Sequence, residues 1–576
     1  MRILLLCHAF NSLSQRLYCE LAGRGHALSV EYDIADSVAE EAVALFRPDL
    51  IIAPYLRRAI PETIWRQHCC LVVHPGIVGD RGPSALDRAI QDGEREWGVT
   101  VLQATGDMDA GPVWASAVFP MRLGRKSSIY RHEVSEAATR AVLCAVERFA
   151  GGAFVPAPLA RGATAAGSGL RPLLRQPERA IDWQRDDSSR VLARLHAADG
   201  FPGVADELLG EPCLLFDGWP EDLLRGGPPG AVIAWRETAI LRATVDGAVW
   251  IGHVRRRAPA DSLKLPAAEA FAAQLAGVRE APLAGSPAAC WAAPHRTWQD
   301  IRYEEADAVG FLHFEFYNGA MSSRQCRRLL AAYAWVRQRP VQVIVLMGGR
   351  DHWSNGIHLQ QIEAAESPAD ESLANINAID DLAEAIIRTD DRLTIAALQG
   401  NCAAGGCFLA RAADLVWARA GVILNPHYRN MGNLYGSEYW TYLLPARVGA
   451  AAAEAIMQQR LPLSASAGVT IGLLDACLAG DPEAFRIDVA RRARELAQAA
   501  DLASRLRAKR ARRQADELQR PLASYRAAEL AEMERNFYGF DPSYHIARHH
   551  FVHKTPHSWT PRHLAIHREP GWRVAQ

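Results

Sequence analysis

The sequence predicts a multidomain α/β protein: an open α/β sheet first, a small β-rich, OB-like module next, and a second α/β domain last. Three observations carry this reading. The chain has 576 residues, too many for one core. Short apolar runs alternate with helical stretches over the first 165 residues. Two stretches rich in Gly, Ala and Pro, Gly151–Gly169 and Ser286–Thr297, interrupt the pattern and read as linkers. The expected domains are therefore 1–165, 170–285 and 298–576.

Taken in order, Arg2–Cys7 reads as a buried strand, and Gln15 falls in the polar turn after it. Ser14–Gly23, Ser84–Asp92 and His132–Phe149 read as helices. Leu50–Ala53, Cys70–Val73, Val99–Gln103 and Val113–Phe119 read as strands, because apolar runs of this length bounded by turn residues suit a buried sheet. Active residues of an open sheet belong at the carboxyl ends of its strands, where His74 falls. No GxGxxG follows the first strand, which disfavours a nicotinamide cofactor. Alternating runs at Ala231–Trp235 and Ala248–His253 mark the β-rich module, and Val341–Met347 is a strand of the last domain. A long polar helical region covers Pro482 to about Asn536, followed by a His-rich tail.

Composition excludes several classes. Hydrophobic content of 49% and charged content of 22% are those of a globular protein. A net charge of -1 gives no drive toward nucleic acid or anionic membranes. No apolar run reaches spanning length, and the first strand lacks the features of a signal peptide. The eleven cysteines have no framework spacing, so reduced thiols and a cytoplasmic location are expected.

Two constellations carry chemistry. In the first, Val72-Val73-His74-Pro75-Gly76 precedes Gly98-Val99-Thr100-Val101 and Asp107-Met108-Asp109-Ala110-Gly111-Pro112. A His can hydrogen-bond an oxyanion or move a proton, and a carboxylate can orient it. This pattern resembles the folate-dependent formyltransferases, which implies catalytic roles for His74 and Asp109 and formyl transfer from 10-formyltetrahydrofolate. Val72 stands where that family places Asn. Loss of an oxyanion donor costs roughly 2.7–4 kcal/mol, so either the site is dead or its acceptor needs less help than an amine. A thiol of pKa about 8.5, partly thiolate at neutral pH, meets that condition. Ser84 and Asp87, three apart on one helical face, are candidate folate contacts together with Gln15; Ser84 also reads as a helix cap. Arg179-Ala180-Ile181-Asp182-Trp183 and Phe201-Pro202-Gly203 resemble the accessory domain of methionyl-tRNA formyltransferases.

The second constellation is Ser354-Asn355-Gly356-Ile357-His358-Leu359 followed by Gln399-Gly400-Asn401-Cys402-Ala403-Ala404-Gly405-Gly406-Cys407. Glycine-rich turns let backbone amides approach a ligand closely. The pattern resembles the crotonase (enoyl-CoA hydratase/isomerase) family. The resemblance implies a thioester oxyanion hole from the N–H groups of Ile357 and Gly405, with Gly356 and Gly406 against coenzyme A. The two glutamates that hydratases of this family use are replaced by Phe408 and His427, so hydration is not expected. Tyr428 and Glu438 are the candidates to handle a formyl proton or a departing sulfur; buried aromatic packing beside a surface glutamate is the bland alternative. Arg548 and Lys554 are candidate phosphate contacts.

The two constellations in one chain, with the tail Asn536-Phe537-Tyr538-Gly539 and Ser543-Tyr544-His545, resemble the HypX/HoxX family of NiFe-hydrogenase maturation proteins. That resemblance implies transfer of formyl to coenzyme A, decomposition of formyl-CoA to CO and CoA, and hydrogenase maturation proteins as partners. A formyl-CoA carrier without CO release and a non-catalytic folate-, CoA- or RNA-binding scaffold remain the alternatives. His545, His549, His553 and His557 recur every fourth residue, but no Cys or carboxylate cluster supports a metal site and Pro556 breaks the helix before the last His, so no metal is expected. Lys509-Arg510-Ala511-Arg512-Arg513 reads as a solvated helix face.

Overall fold

The computed structural model describes residues 1–159, 169–259, 262–283, 296–478 and 480–572. Much of both expected linkers, and Cys290, lie outside these. Two compact units emerge: Met1–Glu280 with Pro556–Gln576, and Ala281–Thr555.

The first unit opens with β1 (Arg2–Cys7), β2 (Ala27–Tyr32), β3 (Leu50–Tyr55), β4 (Cys70–His74), β5 (Asp80–Arg81), β6 (Glu96–Gln103) and β7 (Val113–Pro120). Six of them form one sheet in the order β2-β1-β3-β4-β6-β7. The first four run parallel, and β6 is antiparallel to β4 and β7. Ile3, Leu5, Ile52 and Leu71 are fully buried, as strands covered on both faces require. β5 pairs in parallel with β8 (Gly169–Leu170).

β9 (Val204–Leu208), β10 (Glu211–Glu221), β11 (Val232–Arg236), β12 (Ala239–Ala243), β13 (Ala248–Arg256) and β14 (Lys264–Pro266) form the expected β-rich module. Its antiparallel sheet runs β11-β12-β13-β10-β9, with β14 on β13. The helix Ser188–Ala198 is capped by the Asp187 side chain and buries Val191 and Leu195 against this sheet.

Residues 556–572 depart from the expected 298–576 domain, since they pack in the first unit. The physical reason is Glu31, fully buried in edge strand β2. Its carboxylate accepts from Thr560, from His567 Nε2 at 3.0 Å and from Arg568 Nε at 2.7 Å. Burial raises the Glu31 pKa, but the hydrogen bonds from His567, Thr560 and Arg568 outweigh it and the net shift is downward. Val30 N–H donates to Leu564 O at 2.9 Å and Trp572 stacks on Phe46, so the tail also covers the open sheet edge.

The second unit holds β15 (Ile301–Ala306), β16 (Val309–Phe314), β17 (Val343–Leu346), β18 (His352–Ser354), β19 (Leu393–Leu398), β20 (Asn401–Ala403), β21 (Leu415–Arg419), β22 (Ile423–Asn425), β23 (Leu463–Ser464) and β24 (Ala476–Leu478). They build two sheets, β15-β16-β17-β19-β21-β24 and β18-β20-β22-β23. Each of β17, β19 and β21 turns directly into a short strand of the second sheet, which stacks successive turns at one level. The polar helical region is three helices, Pro482–Ala497, Leu502–Gln519 and Leu522–Tyr538, with Pro521 as the N-cap of the last. The basic run is used internally: Lys509 Nζ meets Asp414 at 2.5 Å and Arg513 meets Glu517 at 2.7 Å. No described helix is long and apolar enough to cross a membrane.

Candidate active sites

His74 ends β4, as the sheet topology demands, and is buried. Its Nε2 lies 2.8 Å from Asp80 Oδ2 and its Nδ1 3.5 Å from Asp109 Oδ2. The imidazole therefore stands between two carboxylates, and a proton taken on either nitrogen has an acceptor beside it. Asp109 sits in a left-handed turn, φ 49°, and also accepts from Gly82 N–H at 3.1 Å. Asp80, itself buried, is ion-paired to Arg171. Gly76 makes this packing possible: a Cβ there would fall 2.3 Å from His74 Nε2 and 2.5 Å from Asp80 Oδ2. The sequence reading did not single out Asp80; its place six residues after His74 was the available signal.

The candidate folate residues are differently placed. Gln15 lies in the first turn of the helix Ser12–Ala22, which Asn11 caps and which starts two residues before the expected Ser14. Its amide donates to Phe10 O at 2.9 Å. Ser84 Oγ accepts from Leu174 N–H at 3.1 Å rather than capping its own helix. Asp87 binds Lys126 Nζ at 2.8 Å and Arg179 Nη2 at 2.5 Å, so both of its oxygens join elements within the first unit.

In the second unit, Ile357 follows β18 and Gly405 opens the helix Gly405–Arg411. Neither amide donates to a backbone acceptor among the described residues. Gly356 has φ 78°, and a Cβ on it would lie 3.2 Å from Gly405 N, so the two loops meet. A Cβ on Gly406 would strike Ser354 O at 2.1 Å. Phe408 and His427 are buried at the replaced glutamate positions, and Phe408 stacks on Tyr428 at 5.3 Å.

Glu438 is 1% exposed, which overturns the surface-glutamate alternative. A Cβ on Gly405 would fall 1.9 Å from Glu438 Oε1, so this carboxyl lies directly against the Gly405 backbone. Tyr428 Oη donates to Glu438 Oε2 at 2.5 Å. Behind Glu438 stand two further buried carboxyls that the sequence reading missed, because they are distant in sequence. Asp380 accepts from Glu438 N–H at 2.8 Å and Ser437 Oγ at 2.7 Å. Glu529 accepts from Tyr439 N–H and from Thr441. Burial, then the neighbouring Asp380 charge, push Glu438 up to about 8. Burial likewise raises Glu529 to about 8 and Asp380 to about 7. Burial, with the Glu438 charge second, pushes the Tyr428 phenol well above 10. The site thus holds a carboxyl able to accept and return a proton near neutral pH.

Arg548 is buried, with Nε 2.7 Å from Glu363 Oε2, whereas exposed Lys554 stands over the Phe551 ring at 4.1 Å.

Comparison with known proteins adds independent support. The formyl transferase family model matches residues 28–146, the formyl transferase C-terminal domain 173–265, and enoyl-CoA hydratase/isomerase 315–562. A methionyl-tRNA formyltransferase of Roseiflexus castenholzii is 29% identical over 245 residues, 41% of this chain and 74% of that protein. The hydrogenase maturation factor HoxX of Bradyrhizobium diazoefficiens is 54% identical over 568 residues, 99% of this chain and 97% of the relative. The crystal structure of HypX from Aquifex aeolicus in complex with tetrahydrofolic acid superposes with a TM-score of 0.96 at 48% identity, covering 100% of both chains. With a formyltransferase pattern, a crotonase-like pattern and whole-length identity in agreement, the chain belongs to the HypX/HoxX family of hydrogenase maturation factors.

Proposed function

We propose that this protein transfers the formyl group of 10-formyltetrahydrofolate to the thiol of coenzyme A at His74 and Asp109, and then splits formyl-CoA into CO and CoA at Tyr428 and Glu438. The likeness to a tetrahydrofolate-bound HypX supports folate at the first site. There the thiol sulfur attacks the formyl carbon, the C–N bond to the folate breaks, and His74 moves the thiol proton to the departing nitrogen. Asp80 and Asp109 hold the charge on the ring meanwhile.

At the second site the thioester oxygen would lie on the Ile357 and Gly405 amides. The Glu438 carboxylate takes the formyl hydrogen as a proton, the C–S bond breaks, CO leaves, and the same proton passes to the departing sulfur. Atoms and electrons balance without an oxidant or reductant. The observation that carries this step is the Tyr428–Glu438 pair laid against Gly405 where a hydratase carboxylate is replaced by Phe408. Family membership points to hydrogenase maturation proteins as the recipients of the CO.

The test is headspace gas chromatography of a reaction containing 10-formyltetrahydrofolate, CoA and the full chain. CO in step with tetrahydrofolate formation supports the reading. Accumulated formyl-CoA without CO removes the second step, and neither product removes both.

A further inference from the structure

The histidines that recur every fourth residue near the end of the second unit acquire a partner in the fold. His549 and His553 lie one turn apart on the helix Ser543–His553. Glu363, at the end of the helix Leu359–Ala364, meets both: its Oε1 is 2.8 Å from His549 Nδ1 and 3.2 Å from His553 Nε2. The missing carboxylate of the sequence pattern thus comes from 186 and 190 residues upstream. One ligand atom from each of the three residues lies within 4.8 Å of the others.

We propose that Glu363, His549 and His553 form a binding site for a divalent metal ion of the zinc class. Metal–ligand bonds of about 2.0–2.2 Å at tetrahedral angles set ligand atoms about 3.3–3.6 Å apart. The two observed separations are a few tenths of an ångström shorter, within side-chain adjustment. Two imidazoles and one carboxylate oxygen suit zinc or cobalt rather than calcium or magnesium. Glu363 is oriented by its other oxygen, held by Arg548 at 2.7 Å, and Arg548 is in turn fixed by His545 Nδ1 at 2.8 Å. Such outer contacts are what tune a metal ligand, and they assign His545 to support rather than ligation. His553 is the last residue of its helix, where the helix dipole favours a cation. His549 is exposed, leaving the remaining coordination position to solvent. The bound ion would fasten the helix that follows the Ile357 loop to the helix Ser543–His553.

The experiment is a cobalt(II) titration of the full chain after dialysis against a chelator. Visible d–d absorption should saturate at one equivalent and be abolished by one equivalent of zinc. His549→Ala and Glu363→Gln should each lose the saturating signal while keeping the parent circular dichroism; Glu363→Gln retains shape and an oxygen for Arg548. His550→Ala should leave the titration unchanged. Absence of stoichiometric cobalt uptake by the parent protein overturns the proposal, and so does a signal that survives in both His549→Ala and Glu363→Gln.

Discussion

At the scale of the residue, the proposed chemistry turns on His74, set between Asp80 and Asp109, and on Glu438, set beside Asp380. His74→Ala and Asp109→Ala should slow formyl transfer by roughly 10²–10⁴-fold, the range for a positioned acid–base group, measured as tetrahydrofolate release. Breakdown of added formyl-CoA should be unchanged in both. The second site titrates in an accessible range. With Glu438 raised to about 8, CO release from formyl-CoA should rise as pH increases through about 8, because the carboxylate is the reactive form. Asp380→Asn should move that midpoint downward by removing the neighbouring charge, and Tyr428→Phe should lower the plateau. Stability runs the opposite way. Carboxyls whose folded pKa exceeds the ordinary 4.5 bind more protons when folded, so their contribution is greatest below 4.5 and declines up to about 8. A CO-release profile flat from pH 6 to 9 would remove Glu438 as the base.

At the scale of the element, two glycines decide whether those side chains can be where they are. Gly405→Ala places a methyl against Glu438 Oε1, and Gly76→Ala places one between His74 and Asp80. A displacement near 1 Å costs on the order of 100-fold. Gly405→Ala should therefore lose CO release and keep formyl transfer, while Gly76→Ala should do the reverse, each read by its own product. The sequence made the parts with local patterns legible. β1, β3, β4, β6 and β7 carry apolar runs, and the loops at Gly356 and Gly405 carry their glycines. β2 was missed because Glu31 sits in it, a charge that reads as exposed until His567 and Arg568 arrive from more than 500 residues away. Asp380 and Glu529 escaped for the same reason: a buried carboxyl is recognisable only with its donors, and theirs come from Ser437, Tyr439 and Thr441. The helix that holds Gln15 starts at Ser12, two residues before the expected Ser14, because Asn11 caps it.

At the scale of the whole molecule, the first unit is built from both ends of the chain. Removal of residues 556–576 would strip Glu31 of its three donors and uncover the β2 edge, and breaking a buried pairing costs up to about 3–5 kcal/mol. The truncated protein should show a lowered midpoint for loss of the first unit's structure, followed by hydrogen exchange of β1 and β2, with the second unit's exchange unaltered. Equal protection of β1 and β2 in the two proteins would show that the tail contributes nothing to the sheet. The same connectivity orders events on the ribosome. Domains generally fold as they emerge, yet here the β2 edge of the sheet that carries His74 gains its cover only after the whole second unit and residues 560–568 have been made. A nascent chain halted anywhere in the second unit carries a first unit in which Glu31 has not yet met Thr560, His567 and Arg568.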